Sequence, residues 1–131
     1  MKKYLILIAF LLPVIFFAGC NREDNTIYTK ADKDPQFPGG MDKFYQFLSD
    51  NIQYPVEERE NNVQGRVIIA FVVEKDGSLG NFEILRGVSR HINNESIRVL
   101  KVSPKWKPAI INNKPVRMQY TIPISFTLQD Q

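Results

Sequence analysis

The stretch VRMQYTIPISFTL, Val116 to Leu128, constrains this chain more than any other. Each even position is apolar: Val116, Met118, Tyr120, Ile122, Ile124, Phe126 and Leu128. The odd positions are polar, with Pro123 as the one exception. A strict period of two puts all the apolar side chains on one face of a β-strand and none on the other, so the strand lies in a sheet with one covered face. Proline has no N–H to give to a ladder and is confined to edge strands or bulges. The pattern therefore predicts an edge strand on which residues 121, 123 and 125 turn their backbone groups outward. A plain edge kept from aggregating by its proline and an edge that accepts a partner both remain open on this pattern alone.

The preceding residues supply the rest of a small fold. Met41, Phe44, Tyr45, Leu48 and Ile52 fall at i, i+3, i+4, i+7 and i+11, the stripe of an amphipathic helix that Pro55 limits. Val67 to Val73 is β-branched and aromatic, Asp76-Gly77 is a hairpin turn signal, and Leu79 to Leu85 returns. A second helix follows, with Asn93 as N-cap and Ile92, Ser96, Val99 and Leu100 on one face; Pro104 stops it. A turn at Asn112-Asn113 leads into the long last strand. Helix, strand, strand, helix, strand is an α+β fold: a small antiparallel sheet of three main strands with two helices packed on one face.

The N-terminus has a different character. Lys2 and Lys3 precede an apolar run from Tyr4 to Ala18, and Gly19 and Cys20 close it. Fifteen apolar residues are fewer than the roughly 20 of a spanning helix and fit the core of a signal peptide. The tetrapeptide FAGC, Phe17 to Cys20, resembles the lipobox of bacterial lipoproteins. That resemblance implies cleavage after residue 19, a lipidated Cys20 and a mature chain of 131 − 19 = 112 residues. An uncleaved inner-membrane anchor is the alternative. Cys20 is the only cysteine, so an internal disulfide is excluded. Cleavage would also remove Lys2 and Lys3, taking the balance from 17 − 14 = +3 to 15 − 14 = +1. With so little net charge and no basic stripe interleaved with aromatics, nucleic acid is not an expected partner.

The organisation expected is a signal peptide over 1–19, a lipid-anchored flexible tether over 20–38 and a folded domain over 39–131. The tether is polar and closed by prolines; its residues 21–36 are expected to be mobile and dispensable for folding. At roughly 3.3–3.6 Å per residue it reaches at most about 60 Å. Catalysis is not expected. His91 is the only histidine, and Ser89 and Ser96 sit at the mouth of a helix, where serine ordinarily caps. No metal site or cofactor is expected either. Trp106 reads as a core residue, with an exposed partner anchor as the alternative. Glu57, Glu58 and Glu60 read as a solvated face.

Residues 36–128 as a whole resemble the C-terminal domain of TonB energy transducers. The marks are Tyr54-Pro55, Gly65, the Val- and Phe-rich strand, Asp76-Gly77, Trp106, Pro108 and the alternating last strand, in that order. The resemblance implies a periplasmic domain that binds a peptide of outer-membrane TonB-dependent transporters by strand addition to its last strand. It implies partner contacts at Gln53, Tyr54 and Pro55 and along Gln119, Thr121, Pro123, Ser125 and Thr127. The other reading is a lipoprotein adaptor that uses the same edge for envelope assembly without energy transduction, since a tether this short is a poor span of the periplasm. The membrane that would hold the anchor, a homodimer and the identity of the partner all stay open.

Overall fold

A computed structural model describes residues 23–128, together with Pro13 and Gly19. The rest of the expected signal segment, and Cys20, lie outside the described residues. The elements in order are β1 (Ile27–Tyr28), α1 (Met41–Asn51), α2 (Val56–Glu60), β2 (Gly65–Val73), β3 (Leu79–Arg86), α3 (Arg90–Lys101), β4 (Ala109–Ile111) and β5 (Lys114–Phe126). The three main strands of the sequence reading are β2, β3 and β5. Two short strands and a five-residue helix join them.

The strands lie in the order β1-β5-β2-β3, and β4 also pairs with β5. β2 and β5 run antiparallel over an unbroken register from Gly65 opposite Phe126 to Val73 opposite Met118. This register puts Val67, Ile69, Phe71 and Val73 on the same face as the even residues of β5. That face is the core: Phe44 and Leu48 of α1 and Ile92, Val99 and Leu100 of α3 pack on it. Trp106 is buried there, ringed by Phe37, Phe44, Phe71 and Tyr120 at centroid distances of 5.2–6.0 Å, the range of favourable aromatic pairs.

The turns follow their sequence signals. Glu74 N–H donates to Ser78 O and Gly77 N–H to Glu74 O, closing the hairpin around Asp76-Gly77. Gly77 has φ 88°, and a Cβ there would lie 2.0 Å from the Trp106 carbonyl oxygen, which leaves glycine as the residue that fits. Asn112 and Asn113, at φ 50° and 62°, make the two-residue turn between β4 and β5.

Three features depart from the sequence expectation. First, residues 27–37 belong to the folded unit and not to a flexible tether. Ile27 and Tyr28 pair in parallel with Arg117 and Met118, Lys33 bridges to Ile110, and Gln36 bridges to Lys107. Phe37 is buried against Phe44, Phe47 and Trp106. The segment has few apolar residues, but backbone pairing and one well-placed aromatic ring offset the entropy of ordering it. Second, α3 starts earlier than expected: Ser89 is its N-cap, accepting from Ile92 N–H at 3.2 Å. Asn93 instead accepts from Val88 N–H at 2.9 Å, fastening the loop before the helix. Third, Met41 and Tyr45 of the α1 stripe are exposed, Tyr45 by 50%.

Phe37→Ala removes a ring from the aromatic cluster and is expected to lower stability by about 3–5 kcal/mol. Denaturant unfolding followed by the fluorescence of the single tryptophan measures it, and a chain beginning at Pro38 should lose a similar amount. An unchanged midpoint in both would show that the segment contributes nothing to the fold.

β1 should also respond to acid. Hydrogen bonds from Thr26 and from the Tyr28 hydroxyl hold the Asp24 carboxyl at about 2, below its ordinary 3.8. A depressed carboxyl stabilises the folded form above its ordinary pKa, and that contribution is lost as pH falls through the folded value. The protection of the Ile27 and Tyr28 amides, relative to their intrinsic exchange rates, should therefore fall between pH 3.8 and about 2. In Asp24→Asn the lower protection should be present already at neutral pH. Exchange that is the same in both proteins at every pH would exclude Asp24 as the clasp.

Candidate functional site

The alternation of β5 is realised residue by residue. Val116, Met118, Ile122, Ile124 and Phe126 are buried, whereas Gln119, Thr121, Pro123, Ser125 and Thr127 are exposed. One side of the strand is filled by β2. On the other side β1 covers Arg117 and Met118. From Gln119 to Thr127 that second side has no strand partner among the described residues.

Pro123 stands opposite Ile68 in the β2 ladder. A proline is tolerated there when its nitrogen points away from the partner strand. Leu128 N–H points to the β2 side, donating to Gln64 Oε1 at 2.8 Å. Backbone direction alternates along an extended strand, so the N–H groups of the even positions turn to β2 and those of Thr121, Ser125 and Thr127 turn away. Pro123 interrupts the open row and leaves the β2 ladder whole.

The open stretch borders a groove of about 520 Å³ between β5 and α1. Its walls are Tyr45, Leu48 and Ile52 on the helix side and Ile124 and Phe126 on the sheet side, with Tyr54 at one end. The Tyr54 ring stands edge-on to Phe126, centroids 5.8 Å apart, and its hydroxyl donates to the Val63 carbonyl. Burial pushes the Tyr54 hydroxyl above its ordinary pKa, with the Glu58 charge adding to the shift, so it stays a donor at neutral pH. Arg66 is the one charged residue lining the groove. It makes no salt bridge among the described residues.

The predicted contact residues are thus divided between two places. Tyr54 joins Pro123, Ser125 and Thr127 at the groove; Gln119 and Thr121 continue the open edge beyond it. Gln53 and Pro55 line a separate hollow with His91 and Arg98, on the far side of Tyr54. There Gln53 N–H donates to Glu95 Oε2 at 3.3 Å, and Glu95 pairs with Arg98. Sequence reasoning missed Tyr45, Ile52 and Arg66 as groove residues. The signal for Tyr45 was present: the α1 stripe holds more apolar residues than the core takes in.

At this hollow Glu58, expected on a solvated face, meets His91 and, beyond the lining, Ser89. Glu58 is buried; Ser89 Oγ donates to its Oε1 at 3.0 Å and His91 Nδ1 lies 2.9 Å from the same oxygen. Burial alone would raise the Glu58 carboxyl, but the bonds from Ser89 and His91 outweigh it and hold the pKa below its ordinary value. The carboxylate stands between serine and histidine, so the imidazole is not placed to take the Ser89 proton. Ser96 is spent on its own helix, donating to Ile92 O at 3.0 Å. Together these bonds tie α2 to the start of α3.

Comparison with solved structures places this architecture. The domain is similar to the solution structure of the Helicobacter pylori TonB C-terminal domain, residues 179–285, with TM-score 0.52 and 18% identity, covering 70% of this chain and 82% of that one. It is similar to the Pseudomonas aeruginosa TonB C-terminal domain with TM-score 0.51 and 24% identity, covering 60% and 80%. At these identities the likeness is one of fold. No curated protein matches the chain in sequence. The family model described as the Gram-negative bacterial TonB protein C-terminal matches residues 50–128, more than half of the chain, from the end of α1 to the end of the long strand. The chain belongs to the TonB C-terminal domain family.

Proposed function

We propose that this protein is a lipid-anchored envelope component that binds periplasm-facing peptides of outer-membrane transporters by adding them as a strand to β5. The family is one of envelope interaction domains that engage such transporters. The observation that carries the reading is the stretch Gln119–Thr127, which no strand covers among the described residues. The other outer strand supports it by contrast. β3 has register shifts on its β2 side, a left-handed Asn81 at φ 51°, and exposed Glu83 and Arg86. Bulges and charges of that kind discourage an added strand. β5 carries one proline and otherwise small hydroxyl and amide side chains.

The anchor bears on whether energy is transduced. With residues 27–37 folded onto the sheet, only six residues, 21–26, separate Cys20 from β1, roughly 25 Å at full extension. A lipidated Cys20 would hold the domain against its own membrane. This argues against a span of the periplasm and so against energy transduction, and for a transporter partner in the membrane that holds the anchor. Cys20→Ala should abolish incorporation of radioactive fatty acid. Equal labelling of both proteins would dismiss the lipid anchor.

Thr121→Pro removes a second outward donor while leaving the buried face of β5 intact. One or two lost hydrogen bonds at about 0.5–1.5 kcal/mol each should weaken binding roughly threefold to a hundredfold. Synthetic peptides from the periplasm-facing N-terminal segments of the host's TonB-dependent transporters are the ligands to titrate by calorimetry. The variant should remain folded. Unchanged affinity in a folded variant would remove the edge as the docking site.

A further inference from the structure

We propose that the groove between α1 and β5 reads the side chains of the added peptide, selecting a large apolar residue with a carboxylate immediately beside it in sequence. This rests on strand addition at β5 and specifies what the added strand must carry. Successive side chains of an added strand point to opposite faces of the sheet. Those on the helix side meet Tyr45, Leu48 and Ile52, with Ile124 and Phe126 beneath; those on the other side lie beside Pro123 and Ser125.

The groove has the size and lining of a side-chain pocket. Its roughly 520 Å³ is open next to the unpaired edge, and the half-exposed Tyr45 forms one lip. An aromatic or long aliphatic side chain placed opposite Ile124 would cover that apolar wall. No acidic residue lines the groove, and Arg66 is its one cation. Arg66 is the cross-strand neighbour of Ser125, so its side chain lies on the outer face with only a small residue between it and the added strand. The peptide residue opposite Ser125 is next in sequence to the one opposite Ile124. A carboxylate there can pair with the guanidinium. Shape therefore selects the apolar residue and charge selects its neighbour.

The test uses the full chain in detergent and four capped nine-residue peptides. The parent is Thr-Val-Ser-Val-Glu-Phe-Ser-Val-Thr; the others replace Phe by Ala, Glu by Gln, or Glu by Lys. The parent is expected to bind about tenfold more tightly than the Ala peptide. Ser49→Trp, which fills the groove from α1, should erase that difference between the Phe and Ala peptides. Arg66→Glu should reverse the order of the Glu and Lys peptides. If all four bind equally, and Thr121→Pro weakens all four alike, strand addition stands and the side-chain reading is overturned. If none binds, strand addition falls as well.

Discussion

The antiparallel pairing of β2 with β5 is the constraint on which the other features depend. Its register runs without a break from Gly65–Phe126 to Val73–Met118. A shift of one residue would turn Ile122, Ile124 and Phe126 out to solvent and bring Thr121, Pro123 and Ser125 into the core. The register thus selects the face that α1 and α3 cover. It also uses up one side of β5 and leaves the other to whatever can reach it. Beyond the β4 hairpin at Lys114–Val116, only β1 reaches it among the described residues, at Arg117 and Met118.

The fold was legible where its determinants are local. Alternation specified β5, Asp76-Gly77 specified the hairpin, and the spacing of Ile92, Ser96, Val99 and Leu100 specified the buried face of α3. What was missed is held by long-range contacts. Residues 27–37 show no periodicity, because their order comes from backbone pairing with positions 107, 110, 117 and 118, far along the chain. Glu58 reads as one of three surface glutamates until Ser89 and His91, 31 and 33 residues away, close over it. The candidate site divides in the same way. The open edge follows from one strand's pattern, but the groove needs α1 laid against β5. No local rule says that Tyr45 stays outside the core while Phe44 enters it.

Arg117 shows how the two ends of β5 are kept distinct. Its guanidinium binds Glu74 at 2.7 and 3.1 Å and donates to the Asn25 carbonyl at 2.9 Å. The hydrogen bond to Glu74 holds the arginine further above its already high pKa, so the charge is permanent. One side chain therefore ties the tip of the β2–β3 hairpin to the segment that enters β1. The sheet is closed at this end and open from Gln119 onward, so a strand added as proposed would have a defined starting point.

Pro123 is then best understood by what it costs and what it leaves. It removes one outward donor from the middle of the open row and none from the β2 ladder. A second copy of the same edge, paired antiparallel about its centre, would bring two such gaps together where the ladder should be strongest. A peptide added as proposed would lose one bond, keep those on either side and still reach the groove. A single missing N–H therefore weakens self-association more than it weakens a partner. An edge that had only to be protected could have been protected as β3 is, with bulges and charges. β5 instead keeps an unbroken register with β2, polar outward side chains and one interruption, an arrangement that suits the proposed strand addition.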